Sequence, residues 1–184
     1  MGLVAPLVLL SNIYLIGLMG SGKSTLGRPL AQTLKREFID LDTLIEQKSG
    51  QSIREIFSEH GEIFFRDLES ARLDEIAKYH KRVIALGGGA ILREQNRGLV
   101  SSSGFSVYLK VNPEILAQRL SDCSDRPLLQ GLDDQAKLER LRELLQERQS
   151  FYEQADLIVP NEGSPEEALA QITSALEHLC KLSK

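Results

Sequence analysis

Apolar residues gather in short runs of strand length, Ile13–Leu18, Glu37–Leu41, Val83–Leu86, Phe105–Val111 and Asp156–Val159. Between these runs lie longer stretches where apolar positions recur at helical spacing. In Ser52–Phe57, Ile53, Ile56 and Phe57 fit the i, i+3, i+4 pattern. Near the end, Leu169, Ile172, Leu176 and Leu179 mark an amphipathic helix that begins after Ser164-Pro165. Strands alternating with helices predict parallel βαβ units, hence an α/β protein whose sheet is covered on both faces. Ligands of such sheets bind beyond the carboxyl ends of the strands, where the chemistry is to be sought.

Composition narrows the class. With 184 residues, 42% of them hydrophobic and 26% charged, the chain has the balance of one globular domain rather than of a disordered, collagenous or coiled-coil protein. A domain of this size buries roughly 70% of its unfolded surface and needs no covalent staples. Cys123 and Cys180 lie far apart and match neither a disulfide framework nor a metal-binding spacing. The three histidines are scattered, and Met1–Leu10 is apolar but carries neither the basic region nor the small-residue cleavage site expected of a secretory signal. A cytoplasmic monomer is expected. The net charge of −4 gives no general attraction to nucleic acid or anionic membranes, so neither is expected as a partner. An anionic ligand needs a local positive site.

One such site is explicit. The first apolar run ends in Gly17-Leu18-Met19-Gly20-Ser21-Gly22-Lys23-Ser24, a complete G-x-x-x-x-G-K-[ST] phosphate loop between a strand and a helix. Its glycines let the backbone curl so that successive N–H groups face phosphate oxygens, and the helix that follows adds its positive end. Lys23 is suited to the β and γ phosphates, and Ser24 to Mg²⁺. Pro29 falls inside that helix, predicted over Ser24–Leu34, and is expected to kink it or tighten its first turn without abolishing it. Phe38-Ile39-Asp40-Leu41-Asp42 places two carboxylates two positions apart at a strand end, on one face, so both are expected to project toward the crevice. One acid could orient metal-bound water and the other accept a hydroxyl proton. Alternatively, Asp42 caps the helix starting at Thr43. The third strand runs into Gly87-Gly88-Gly89, which either lets a ligand approach the backbone or only punctuates a turn.

These motifs, with F-F-R-D-L-E at 64–69, A-L-G-G-G-A at 85–90 and D-R-P-L-L at 125–129, resemble the shikimate kinases in order and spacing across residues 13–152. The resemblance implies a P-loop three-layer α/β/α fold of the nucleoside-monophosphate-kinase-like branch, with a five-stranded parallel sheet. It further implies a helical substrate-binding region at about 43–75 and a mobile lid at about 121–134, all within one domain spanning 1–184. The implied activity is transfer of the ATP γ-phosphate to the 3-hydroxyl of shikimate, on the route to chorismate and the aromatic amino acids, with Mg²⁺ as cofactor. Asp42 then matches the base that binds the substrate hydroxyls. Asp40 matches the carboxylate holding Mg²⁺ through water, with Ser24 binding it directly. Gly20, Ser21, Gly22, Lys23, Ser24 and Thr25 match the ATP-phosphate cradle, with Lys23 also catalytic. Arg66 and Arg148 match the pair gripping the substrate carboxylate, with Gly87, Gly88 and Gly89 beside them. Arg126 matches a catalytic lid arginine that reaches the ATP phosphates, and Arg119 one beside adenine.

Guanidinium groups recognise carboxylates bidentately, which suits an anionic, polyhydroxylated substrate. Each arginine also has a plainer reading. Arg66 lies three before Glu69 and four after Glu62, a possible surface ion-pair ladder, and Arg148 shares a charged helix with Glu143 and Glu147. Ser121–Asp134 reads as a lid or as a solvent loop. Where family members often carry Asp after the last strand, this chain has Leu157-Ile158-Val159-Pro160-Asn161, and that loop is left out of the expected site. Two competing functions remain open from the motifs: a kinase of another sugar acid such as gluconate, and a nucleotide-binding homologue without activity. The second would be expected to have lost Lys23, Asp42 or Arg126, and all three are present.

Overall fold

In the computed structural model, which describes residues 11–121 and 126–181, five strands form one parallel sheet. They are β1 (Asn12–Ile16), β2 (Glu37–Asp40), β3 (Arg82–Ala85), β4 (Gly104–Lys110) and β5 (Leu157–Pro160), in the spatial order β2-β3-β1-β4-β5. The helices are α1 (Lys23–Leu34), α2 (Leu41–Ser49), α3 (Ile53–Ala77), α4 (Glu94–Ser103), α5 (Pro113–Arg119), α6 (Asp134–Tyr152) and α7 (Pro165–Lys181). All five predicted strands are present, within two residues at each end.

Alternation along β1 builds the layers. Ile13 and Leu15 pack with Leu26, Leu30 and Ala31 of α1 and with Ala168, Ile172 and Leu176 of α7. Tyr14 and Ile16 enter the opposite core, with Leu73 and Ile76 of α3, Val100 of α4 and Leu141 and Leu144 of α6. Each fully buried Leu or Ile contributes about 1.5–3 kcal/mol. Two such side chains on α1, Leu26 and Leu30, offset the ~3 kcal/mol penalty of Pro29, and the helix runs through it.

Two local features place the site. The chain leaves β1 toward β2 on one side, while β4 lies on the other, so the strand order reverses beside β1. A crevice opens at its carboxyl end. The long helix α3 begins in a capping box, with the Ser52 hydroxyl accepting from Glu55 N–H and the Glu55 carboxylate accepting from Ser52 N–H. It breaks at Gly61 (φ 80°, ψ 174°), which separates the segment carrying Ile53 and Phe57 from the one carrying Arg66 and Glu69. Among the described residues no helix is long and apolar enough to cross a membrane.

Candidate active site

The crevice is a cavity of about 900 Å³ walled by the ends of β1, β2 and β3, by α2, α3 and α6, and by the segment starting at Arg126. Gly20, Gly22, Lys23, Ser24 and Thr25 line one end of it. Ser21 is buried behind them, and its N–H donates to the Leu18 carbonyl at 3.2 Å, so the expected phosphate contact of this residue is not in place. The Lys23 ammonium donates to the carbonyls of Gly17 and Leu18 at 2.8 Å each. Burial pushes it down to about 8, against the pull of Asp42.

The two aspartates meet the cavity by different routes than a common strand face. The strand ends at Asp40, and Asp40, rather than Asp42, caps α2: its Oδ1 accepts from the N–H groups of Asp42 and Thr43. Its Oδ2 accepts from the Ser24 hydroxyl. Asp42 therefore sits in the first helical turn, freed from capping and directed into the cavity. Burial and the neighbouring Asp40 push its carboxyl up, while Arg126, Lys23 and Arg66 pull it back. Arg126 lies 3.6 Å from it. Of the expected lid, residues 122–125 lie outside the described residues; Pro127–Leu129 form a short 3₁₀ turn, with Pro127 and Leu128 on the cavity wall.

Arg66 satisfies both readings at once. It pairs with Glu62 and Glu69 at 2.9 Å each, yet its side chain is only 11% exposed and lines the cavity. The charged ladder of α6 belongs instead to Arg140, which pairs with Glu143 and Glu147. Arg148 faces the other way, is buried, and leaves its Nε without a partner. The three glycines are more than punctuation. A Cβ on Gly89 would run into the Arg66 guanidinium, and one on Gly87 into Glu69 and, at 2.9 Å, Asp42.

Three residues of this site escaped the sequence reading. Glu69 is fully buried, and Oε1 lacks a partner while Oε2 accepts from Arg66. Tyr152 donates its hydroxyl to the Gly88 carbonyl and stacks on Tyr108 at 5.0 Å. Asn161, in the loop left out of the expected site, lines the cavity together with Gly163 and Pro165. Glu69 was visible as an ion-pair partner of Arg66; nothing in the pattern marked the other two.

Burial pushes the Glu69 carboxyl up to about 7 against the pull of Arg66, with Asp42 adding to the rise. Between its ordinary 4.5 and about 7 the folded protein holds a proton that the unfolded chain has released. Stability then falls as pH rises through that window. Replacing Glu69 by Gln should flatten this part of a Tm-against-pH curve, and an unchanged slope would show that other groups set it.

A family model described as shikimate kinase matches residues 19–177. A shikimate kinase of Synechococcus sp. (strain JA-3-3Ab) is 47% identical over 168 residues, covering 90% of this chain and 87% of that protein. Among solved structures, a shikimate kinase from Acinetobacter baumannii in complex with shikimate superposes with a TM-score of 0.87 at 38% identity, covering 92% of this chain and 94% of that one. A gluconokinase from Sinorhizobium meliloti 1021 reaches a TM-score of 0.58 at 18% identity, a likeness of fold alone, with 96% of this chain and 99% of that one covered.

Proposed function

The chain belongs to the shikimate kinase family, and from that premise we propose how its residues divide the work of moving the ATP γ-phosphoryl group to the 3-hydroxyl of shikimate. The products are shikimate 3-phosphate and ADP, on the route to chorismate and the aromatic amino acids. One observation carries the reading: two guanidinium groups, those of Arg66, mostly buried, and Arg148, fully buried, line the cavity into which the phosphate loop and Asp42 open. A protein of net charge −4 concentrates positive charge there for an anionic acceptor as well as an anionic donor.

In this division the backbone N–H groups of Gly20 and of Gly22 to Thr25 cradle the ATP phosphates, with Ser21 shaping the loop from behind, and Lys23 neutralises charge on the group in transit. Asp42 accepts the proton of the attacking hydroxyl, and its raised pKa makes it a stronger base than an ordinary aspartate. Arg66 and Arg148 hold the substrate carboxylate, so that the hydroxyl is presented to Asp42 at a fixed distance. Arg126 reaches over both, and Arg119 faces the base end. The chain works as one kinase unit, a cytoplasmic monomer, with the helical region 43–75 holding the acceptor and 121–134 closing over the site to exclude water.

The donor set fits Mg²⁺. Ser24 and Asp40 offer two hard oxygens already in contact. The described residues contain no cluster of three or more acidic, His or Cys side chains able to hold a metal unaided. That matches an ion bound by one or two protein groups, several waters and substrate phosphates. When bound, it neutralises charge on the β and γ oxygens.

ADP release in a coupled assay, with and without shikimate, tests the reading: release should depend on shikimate and be absent with gluconate. Lys23→Ala should lower turnover about 10²–10³-fold. Near-normal turnover in that variant would overturn the assignment of the cradle.

A further inference from the structure

A loop that turns its N–H groups toward an anion must turn its carbonyl oxygens into the protein, where each needs a donor. The carbonyls of Gly17 and Leu18 receive Lys23, that of Gly20 receives Arg119 at 3.4 Å, and that of Gly22 receives Leu26 N–H at 2.8 Å. The Ser21 carbonyl is served from outside the loop and its helix, by the side-chain amide of Asn161 at 2.7 Å. Asn161 is only 4% exposed. Its Nδ2 fills the space that a side chain at Gly22 would need, 2.6 Å from where a Cβ would stand. Gly22 has a φ of +91° and caps α1, so this is the point where the loop turns into the helix.

Asn161 is itself held from three directions. Its N–H donates to the Lys110 carbonyl at 2.9 Å, extending the β4–β5 ladder past Pro160. Its carbonyl accepts from Arg119 at 2.8 Å. The neighbouring Glu162 accepts from Asn112 N–H at the start of α5. The amide is thus a strut between the sheet edge and the tightest bend of the phosphate loop.

We infer that Asn161 is a positioning residue for the nucleotide: by holding the Ser21 carbonyl inward it keeps the amides that follow, Gly22 to Ser24, aimed at the phosphates, and so sets affinity for ATP rather than for the acceptor. The inference rests on the reading of this loop as the ATP cradle. Asparagine suits the place because it donates without charge. Aspartate would set an acceptor against the Ser21 carbonyl and a negative charge beside an anion site.

The test is steady-state kinetics with each substrate varied, together with ADP binding by calorimetry and melting curves of the unliganded protein. Asn161→Ala should raise the KM for ATP and the Kd for ADP about tenfold, from the loss of one buried hydrogen bond. Asn161→Asp should raise them about tenfold to a hundredfold through added repulsion. The KM for shikimate should stay within about twofold of wild type in both. Asn161→Ser, too short to reach Ser21, replaces either variant if it fails to fold. A residue with only a structural role would lower Tm and leave both KM values of the folded enzyme unchanged, and that result would overturn the inference. Such a result beside an inactive Lys23→Ala enzyme would leave the cradle standing and remove only the strut; a fully active Lys23→Ala enzyme would remove the cradle itself.

Discussion

Asp42→Asn should cost about 10²–10⁴ in turnover while folding and ADP binding survive. The change keeps size and hydrogen-bonding capacity but removes the proton acceptor. The capping role that could have made this a stability variant belongs to Asp40, whose Oδ1 receives both Asp42 N–H and Thr43 N–H. Asp42 has no such duty, so Tm should change little. Removing its charge also relieves crowding with Asp40, the second cause of its raised pKa after burial. The mutant should therefore melt at or slightly above the wild-type temperature. Turnover in the wild type should fall as pH drops through the raised Asp42 pKa, and the Asn variant should lose that limb. A variant with a lowered Tm and normal activity per folded molecule would return Asp42 to a structural role.

The same pair of residues shows what was legible beforehand. The strand, the acids and their nearness to the phosphate loop could be read from Phe38-Ile39-Asp40-Leu41-Asp42 because strand period and motif spacing are local properties. The helix start could not. A β-strand end with two candidate caps is decided by whichever carboxylate the fold leaves beside free N–H groups, and the Ser24 hydroxyl holds Asp40 in that place. Arg148 makes a similar case. Its neighbours in sequence, Glu143 and Glu147, suggested a solvated ladder, but helical phase puts Arg140 on the same face as both and turns Arg148 inward. The central strands β1, β3 and β4 were readable because most of their positions are buried, which produces runs rich in apolar residues. Tyr152 and Asn161 were not, since their roles rest on contacts with Gly88 and Ser21 across 64 and 140 residues. No local pattern encodes such pairings.

The clamp gives the second large effect, and its two members differ. Arg66 shares its charge with Glu62 and Glu69. Arg148 is 3% exposed, makes no ion pair among the described residues, and leaves Nε unpartnered. Burying a cation without an anion is costly unless a ligand supplies one. Truncating either arginine should cost about 2–5 kcal/mol of transition-state binding. At 1.4 kcal/mol per decade that is roughly a thirtyfold to several-thousandfold loss in kcat/KM for shikimate. Arg148→Met should show the larger loss and yet hold or raise the Tm of the unliganded protein, because an uncompensated charge leaves the interior. Arg66→Ala should lower Tm, because it strands the Glu69 carboxylate. The two losses should fall short of additive in the double variant, since both groups grip one carboxylate. Shikimate methyl ester makes the charge itself the variable. It should be a poor substrate of the wild type, and neither substitution should matter much for it. Equal rates with acid and ester in the wild type would show that the buried guanidinium groups serve the fold and not the acceptor, and the specificity would then have to come from the hydroxyl contacts at Asp42 alone.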